Sequence, residues 1–341
     1  MQTDELAEQF VAQYEWVIDN QDERNIVFVT HEGDVADDPS SPSEWERIDD
    51  IFSLLDDAEV PYSIAAGNHD INRDATAPEY DARFGVDRFE RYSWYRSNHA
   101  AEGNRSSYSE ISVDGHDLLF LHIRHLRPSF GDVDAVLAWA DGVLADHPDH
   151  LVFVTTHEFT TPEGEVAYPA LESIISEHCN VAAVFSGHLF GGAARGAFDD
   201  DCGRTVQHML TNYQNRTDGG EGFLRTVEVD PVTLQASFQV YSPVLDEFNT
   251  EPAEEFTRRL AALVPVAGDV DCDRDLTIGD ALVIAQFSVG SRTAVGQCPL
   301  VDPASTLHAN SADINADGVV NVGDALIVAR CSVGIVGEFC E

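Results

Sequence analysis

The chain has 341 residues, enough for two or three domains, and a formal charge of −42 from 61 acidic against 19 basic side chains, every one of them arginine. That charge repels phosphate polymers, so it excludes a nucleic-acid surface or an anionic membrane as a general partner and favours bound cations. No apolar run approaches the roughly 20 residues that span a bilayer.

In chain order, Leu6, Phe10, Tyr14, Val17 and Ile18 mark one face of a helix. NIVFVT at 25–30 reads as a buried strand. Ser41-Pro42-Ser43-Glu44 has the pattern of a capping box with proline in the first turn, and its helix runs through Trp45, Ile48, Ile51, Phe52 and Leu55. A strand follows near 62–66, another at 118–122, a helix over 133–145, and strands at 151–156 and 181–186. Segments near 205–210, 223–229 and 234–241 read as a meander. The pattern is α/β with buried strands. Residues 251–264 carry charge and little periodicity and read as a linker, which divides the chain into 1–250 and 265–341. The six cysteines, four of them in the last stretch, point to disulfides and an oxidising, secreted or cell-surface location. Six cysteines allow 15 pairings. Cys272 with Cys331 and Cys298 with Cys340 are two that suit the C-terminal stretch.

Four polar clusters sit just after expected strands: His31-Glu32-Gly33-Asp34, Gly67-Asn68-His69-Asp70, Thr155-Thr156-His157-Glu158 and Ser186-Gly187-His188-Leu189-Phe190. Strand C-terminal ends are where open α/β sheets build their sites. Asp34, Asn68, His157 and His188 are oxygen and nitrogen donors suited to Mn, Fe or Zn. A lone histidine is more often a satisfied core or loop residue; four clusters in sequence, each at a strand end, argue otherwise.

The series GD, GNHD, TH, GH resembles the calcineurin-like metallophosphoesterase family, over about residues 4–257. The flanking stretches VLAWADGVLADHPD, MLTNYQ and Tyr241-Ser242-Pro243 are similar to its secreted members. The resemblance implies an α/β/β/α sandwich that hydrolyses a phosphomonoester or phosphodiester with a metal-activated water. It implies that Asp34 bridges two metals, that Asn68, His157 and His188 complete the second, and that His69 contacts phosphate and protonates the leaving oxygen. Two family features are missing from the sequence. The family's first strand, ending in Asp-x-His or Asp-x-Gln, would precede the first helix, where this chain opens; and Phe190 stands at the second histidine of the family's GHxH. Both fall on the first metal, so the expectation is one tightly held ion, or two if His31 or His122 stands in. The rival expectation is a phosphoesterase remnant acting as a binding protein.

Residues 269–290 and 313–334 form an internal repeat, each with Gly-Asp-Ala-Leu and ending in Ser-Val-Gly. Asp269, Asp271, Asp273 and Asp280, and in the second copy Asp313, Asn315, Asp317 and Asp324, have the spacing of an EF-hand-like calcium loop, so two Ca2+ ions are expected. One helix follows each loop, and Leu282, Ile284, Ala285, Leu326, Ile327 and Ala329 are expected to pack between them. Loop plus helix, twice, resembles a type I dockerin. That implies a small α-helical C-terminal domain tethered to a cohesin-like partner or a polysaccharide-associated scaffold.

Overall fold

The computed structural model of the chain describes residues 4–202, 204–231, 233–260, 270, 277–291, 314 and 319–333. The chain divides into two compact units, Met1–Pro231 with Gln235–Ala261, and Ala262–Glu341 with Val232–Leu234.

In the first unit, α1 (Asp4–Arg24) and α2 (Pro42–Asp57) bury the apolar stripes that the sequence periodicity marks. Phe10 and Tyr14 of α1 meet Phe52 of α2 edge-on, with ring centroids 5.5 and 5.2 Å away. Beneath them, β1 (Val29–His31) and β2 (Tyr62–Ile64) pair in parallel. The helices α3 (Pro78–Phe84) and α4 (Val86–Phe89) complete this aromatic core with Tyr80, Phe84 and Phe89. On the other side Phe28 stacks at 4.0 Å on Phe120. Thr30 Oγ1 lies 2.8 Å from His122 Nε2 and 2.7 Å from Thr155 Oγ1.

Phe120, His122 and Thr155 belong to the second sheet, whose seven strands are β3 (Tyr95–Asn98), β4 (Ser107–Val113), β5 (His116–Ile123), β6 (Leu151–Thr156), β7 (Val181–Ser186), β8 (Gly192–Asp199) and β9 (Thr205–Asn212). They run in the order β3-β4-β5-β6-β7-β9-β8, with β5, β6, β7 and β9 parallel and β3, β4 and β8 antiparallel. β6 and β7 are buried along their whole length, as strands covered on both faces must be. Their outer face packs on α5 (Val133–Asp146) and α6 (Pro169–Glu177) through Val136, Leu137, Leu171 and Ile175. Helices, sheet, sheet and helices therefore follow one another, the expected α/β layering. A separate antiparallel meander contains β10 (Leu224–Val229), β11 (Gln235–Ser242), β12 (Glu247–Asn249) and β13 (Phe256–Arg259). Cys179 and Cys202 are joined by a disulfide.

Three expectations need correction here. Residues 256–259, expected in the linker, form β13, because Phe256 stacks at 4.5 Å on Phe238 of β11 while the arginines stay outside. Ser41 makes no side-chain cap. Instead the Glu44 carboxylate turns back to accept the Asp37 and Asp38 N–H groups at 2.8 and 3.3 Å. Between the expected strands near 62–66 and at 118–122 the structure adds β3 and β4, with β4 turning into β5 through Asp114-Gly115, both at positive φ.

In the second unit, α7 (Ile278–Ser288) and α8 (Val322–Ser332) meet through Ala281, Ile284, Ala325 and Val328, with Val270. Leu282 and Leu326 do not join them; at 58% and 61% exposure they lie on the outer face of each helix. The buried Asp280 accepts N–H groups from Val270 and Thr277, and the buried Asp324 accepts from Ile314 and Asn321. Asp269, Asp271, Asp273, Asp313, Asn315 and Asp317, with Cys272, Cys298 and Cys340, lie outside the described residues. Cys331 is disulfide-bonded.

Candidate metal centre

Four strand ends, from both sheets, carry the expected ligands, and a fifth lies beside them. β1 leads to Asp34, β2 to Asn68, β5 to His125, β6 to His157 and β7 to His188. The β1 turn is tight: Gly33 (φ +93°) and Asp34 (φ +55°) both take the left-handed conformation. Gly67 permits the close approach of the layers. A Cβ there would fall 2.2 Å from Asp34 Oδ1 and 2.8 Å from His157 Cε1. The fully buried Asp70 ties the two loops together, accepting N–H groups from Asp34 (2.8 Å), Ala36 (3.2 Å) and Gly67 (2.7 Å).

His157 is the hub. Its Nδ1 donates to the Glu32 carbonyl at 2.6 Å, which fixes the ring. Its Nε2 lies 3.2 Å from Asp34 Oδ2 and 3.0 Å from Asn68 Oδ1. The His157 and His188 rings are 4.7 Å apart, and His125 stands 4.7 Å from His188 and 5.0 Å from His157. These three imidazoles each offer a nitrogen within 4.8 Å of the others. His188 takes φ +61°, and its carbonyl accepts the Asn212 side-chain N–H at 3.1 Å. The structure thus brings together Asp34, Asn68, His157 and His188.

Electrostatics favour a cation here. Burial opposes charge on Asp34, yet the His157 imidazole and the His69 N–H hold its carboxyl below the usual carboxylate range. Burial likewise opposes charge on His157, but Asp34 pulls its pKa upward. Burial, then His157 and His125, pushes His188 down to about 4, so its lone pair is available. A buried carboxylate that draws protons onto a neighbouring imidazole is a site short of positive charge, and this donor set fits a divalent transition ion.

His69 is half-exposed; its N–H donates to Asp34 Oδ1 at 2.8 Å, and its Nδ1 donates to the Asp37 carbonyl at 2.6 Å. His31 and His122 do not join the centre. The His31 ring packs between Phe10 and Phe52, its Nδ1 accepting the Gly33 N–H at 3.1 Å. His122 is fully buried between the sheets against Thr30. Burial holds their pKa values at about 4 and about 3. Phe190 is 59% exposed. The residue that sequence reasoning missed is His125. Its signal lies in LLFLHIRH, an apolar strand followed by a histidine like the other four clusters, with His125 two residues past the strand's end.

The family described as calcineurin-like phosphoesterase matches residues 5–190. The uncharacterized protein YvnB of Bacillus subtilis (strain 168) is 32% identical over 249 residues, which is 70% of this chain but 19% of that protein, so the chain spans only a small part of this curated relative. The solved structure of purple acid phosphatase PPD1 from yellow lupin (Lupinus luteus) seeds superposes with a TM-score of 0.45 at 13% identity, over 72% of this chain and 48% of that one. Spanning more than half of the residues, the family match means that this chain belongs to the calcineurin-like phosphoesterases.

Proposed function

We propose that the first unit hydrolyses a phosphomonoester or phosphodiester with a divalent transition ion, Mn, Fe or Zn. The observation that carries this reading is the convergence of Asp34, Asn68, His157 and His188 from four strand ends on one point. The ion supplies a bound water of lowered pKa and neutralises developing phosphoryl charge. The chain's own residues do the rest. Asp34, Asn68, His157 and His188 would hold the ion. Because His69 donates Nδ1–H to a carbonyl, its Nε2 is the free nitrogen on the open side, placed to carry a proton to the leaving oxygen. The test is turnover of an aryl phosphate and a bis-aryl phosphate after chelation and after refilling with Mn, Fe or Zn. Activity that chelator abolishes and metal restores, and that His157→Ala removes, is expected; activity indifferent to chelation would overturn the reading and favour a phosphoesterase remnant that only binds.

The second unit we read as a calcium-binding, dockerin-like tether, and the chain as secreted or attached at a cell surface. Two facts support this. Asp280 and Asp324 close their loops with the same pair of N–H contacts, so the duplicated sequence makes a duplicated structure. Ile278 with Leu282, and Val322 with Leu326, repeat one exposed apolar pair on the two helices, a surface suited to a cohesin-like partner. Calorimetric titration of the chelator-stripped chain should show two calcium sites, each lost with Asp280→Ala or Asp324→Ala; no calcium heat would remove the reading.

A further inference from the structure

His125 has a built environment that no part of the reading above uses. It is 1% exposed, at the end of β5. Its N–H donates to the Ala66 carbonyl of the β2 loop at 2.8 Å, and its own carbonyl accepts from the buried Arg124 guanidinium at 2.7 Å. The backbone is thereby clamped between the two layers. The ring is fixed as well: His125 Nε2 lies 2.9 Å from Glu158 Oε2, and Arg127 reaches the same oxygen at 3.2 Å. A carboxylate paired with arginine accepts and does not donate, so Nε2 carries the proton and Nδ1 holds the lone pair. That Nδ1 is buried and has no hydrogen-bond partner. A buried nitrogen lone pair without a donor is costly in a folded protein unless something electropositive is to meet it. The ring stands beside both His157 and His188.

From this geometry we propose that His125 is a further nitrogen ligand of the same ion, through Nδ1, and that Glu158 is its positioning residue. The proposal rests on the metal-centre reading above. It would bring the imidazole donors to three, His125, His157 and His188, beside the oxygens of Asp34 and Asn68. Three imidazoles favour a borderline ion of the zinc class over magnesium or calcium, which prefer all-oxygen shells. A carboxylate holding the distal N–H of a ligating histidine raises its basicity and fixes its orientation, and losing such a partner costs roughly 10–100-fold in metal affinity.

Cobalt(II) is the probe, titrated into the full-length, chelator-stripped chain and followed by its visible absorption bands. His125→Gln should lower cobalt affinity at least about tenfold and shift the bands, because a nitrogen donor leaves the ion. Glu158→Ala should lower affinity by roughly 10–100-fold, with bands altered less than in His125→Gln. Magnesium in large excess should fail to displace cobalt from the parent. His157→Ala serves as the reference. Affinity and bands unchanged in His125→Gln, with cobalt binding lost in His157→Ala, would overturn this inference and leave the metal centre standing. Cobalt binding unaffected by either substitution would overturn both. If His125→Gln lowers the melting temperature of the ion-free chain, Glu158→Ala decides, and parent-like affinity and bands there overturn the proposal.

Discussion

Two histidines show how much at the residue scale depends on which nitrogen is engaged. His69 spends Nδ1 on a backbone carbonyl and leaves Nε2 free at the open edge of the centre. His69→Ala should therefore cost roughly 10²–10⁴-fold in turnover on alkyl phosphates, where the leaving oxygen needs a proton, and much less on aryl phosphates. Equal losses on both would remove the proton-donor role. His208 is a structural counterpart outside the centre. It is buried on β9, 3.0 Å from Thr160 Oγ1, with Gly196 so close that a Cβ there would lie 2.5 Å from the ring. Burial lowers its pKa to about 4. A folded value below the unfolded value of roughly 6.5 means that the unfolded chain takes the proton first, so His208 adds stability above that pH and loses it as pH falls toward 4. Thermal melts should show His208→Gln losing less melting temperature than the parent between pH 7.5 and 5.5. An identical drop in both would exclude His208 as a source of acid sensitivity.

Glu44 belongs to the scale of elements, because it couples a helix to a loop. From the first turn of α2 it holds the N–H groups of Asp37 and Asp38, and the Asp37 carbonyl in turn accepts from His69. Glu44→Ala would remove two hydrogen bonds to a charged carboxylate from this exposed turn, at about 1–3 kcal/mol. Urea unfolding should show that loss, together with reduced turnover from a loosened His69; unchanged stability would mean that water replaces the carboxylate. The sequence displayed this helix but not the job of its glutamate, since a capping box and a reach back across the N-terminus share one spelling. Legibility followed burial. LVFVTT and VAAVFS are apolar on both faces, and VLAWADGVLAD has a helical stripe, so β6, β7 and α5 could be read directly. β4 was legible too, since SYSEISV alternates and the Asp114-Gly115 turn leads straight into β5; β13, a short charged stretch, is set by its pairing with β11, which its own residues do not announce. The centre was legible for the same reason: four of its five strand ends follow clean apolar runs. His125 was hidden because His122, three residues earlier, drew the eye and then proved to be core.

For the whole molecule the charge of −42 dominates. Like charges destabilise a compact state, and at 1 M salt the screening length falls to roughly 3 Å. Sodium chloride between about 0.05 and 1 M should therefore raise the melting temperature; a flat or falling trend would show that the carboxylates are already neutralised by partners such as the arginines of the Asp49–Arg88–Asp56 and Arg216–Glu254–Arg225 networks. The donors of the centre are also distributed unevenly. Asp34 and Asn68 hang from the two-stranded layer, while His125, His157 and His188 hang from the seven-stranded one. An ion between them would act as a rivet. It could leave only as fast as the layers part, and the layers could part only by giving it up. The exchange half-life of the metal and the unfolding half-life of the first unit would then be two readings of one clock.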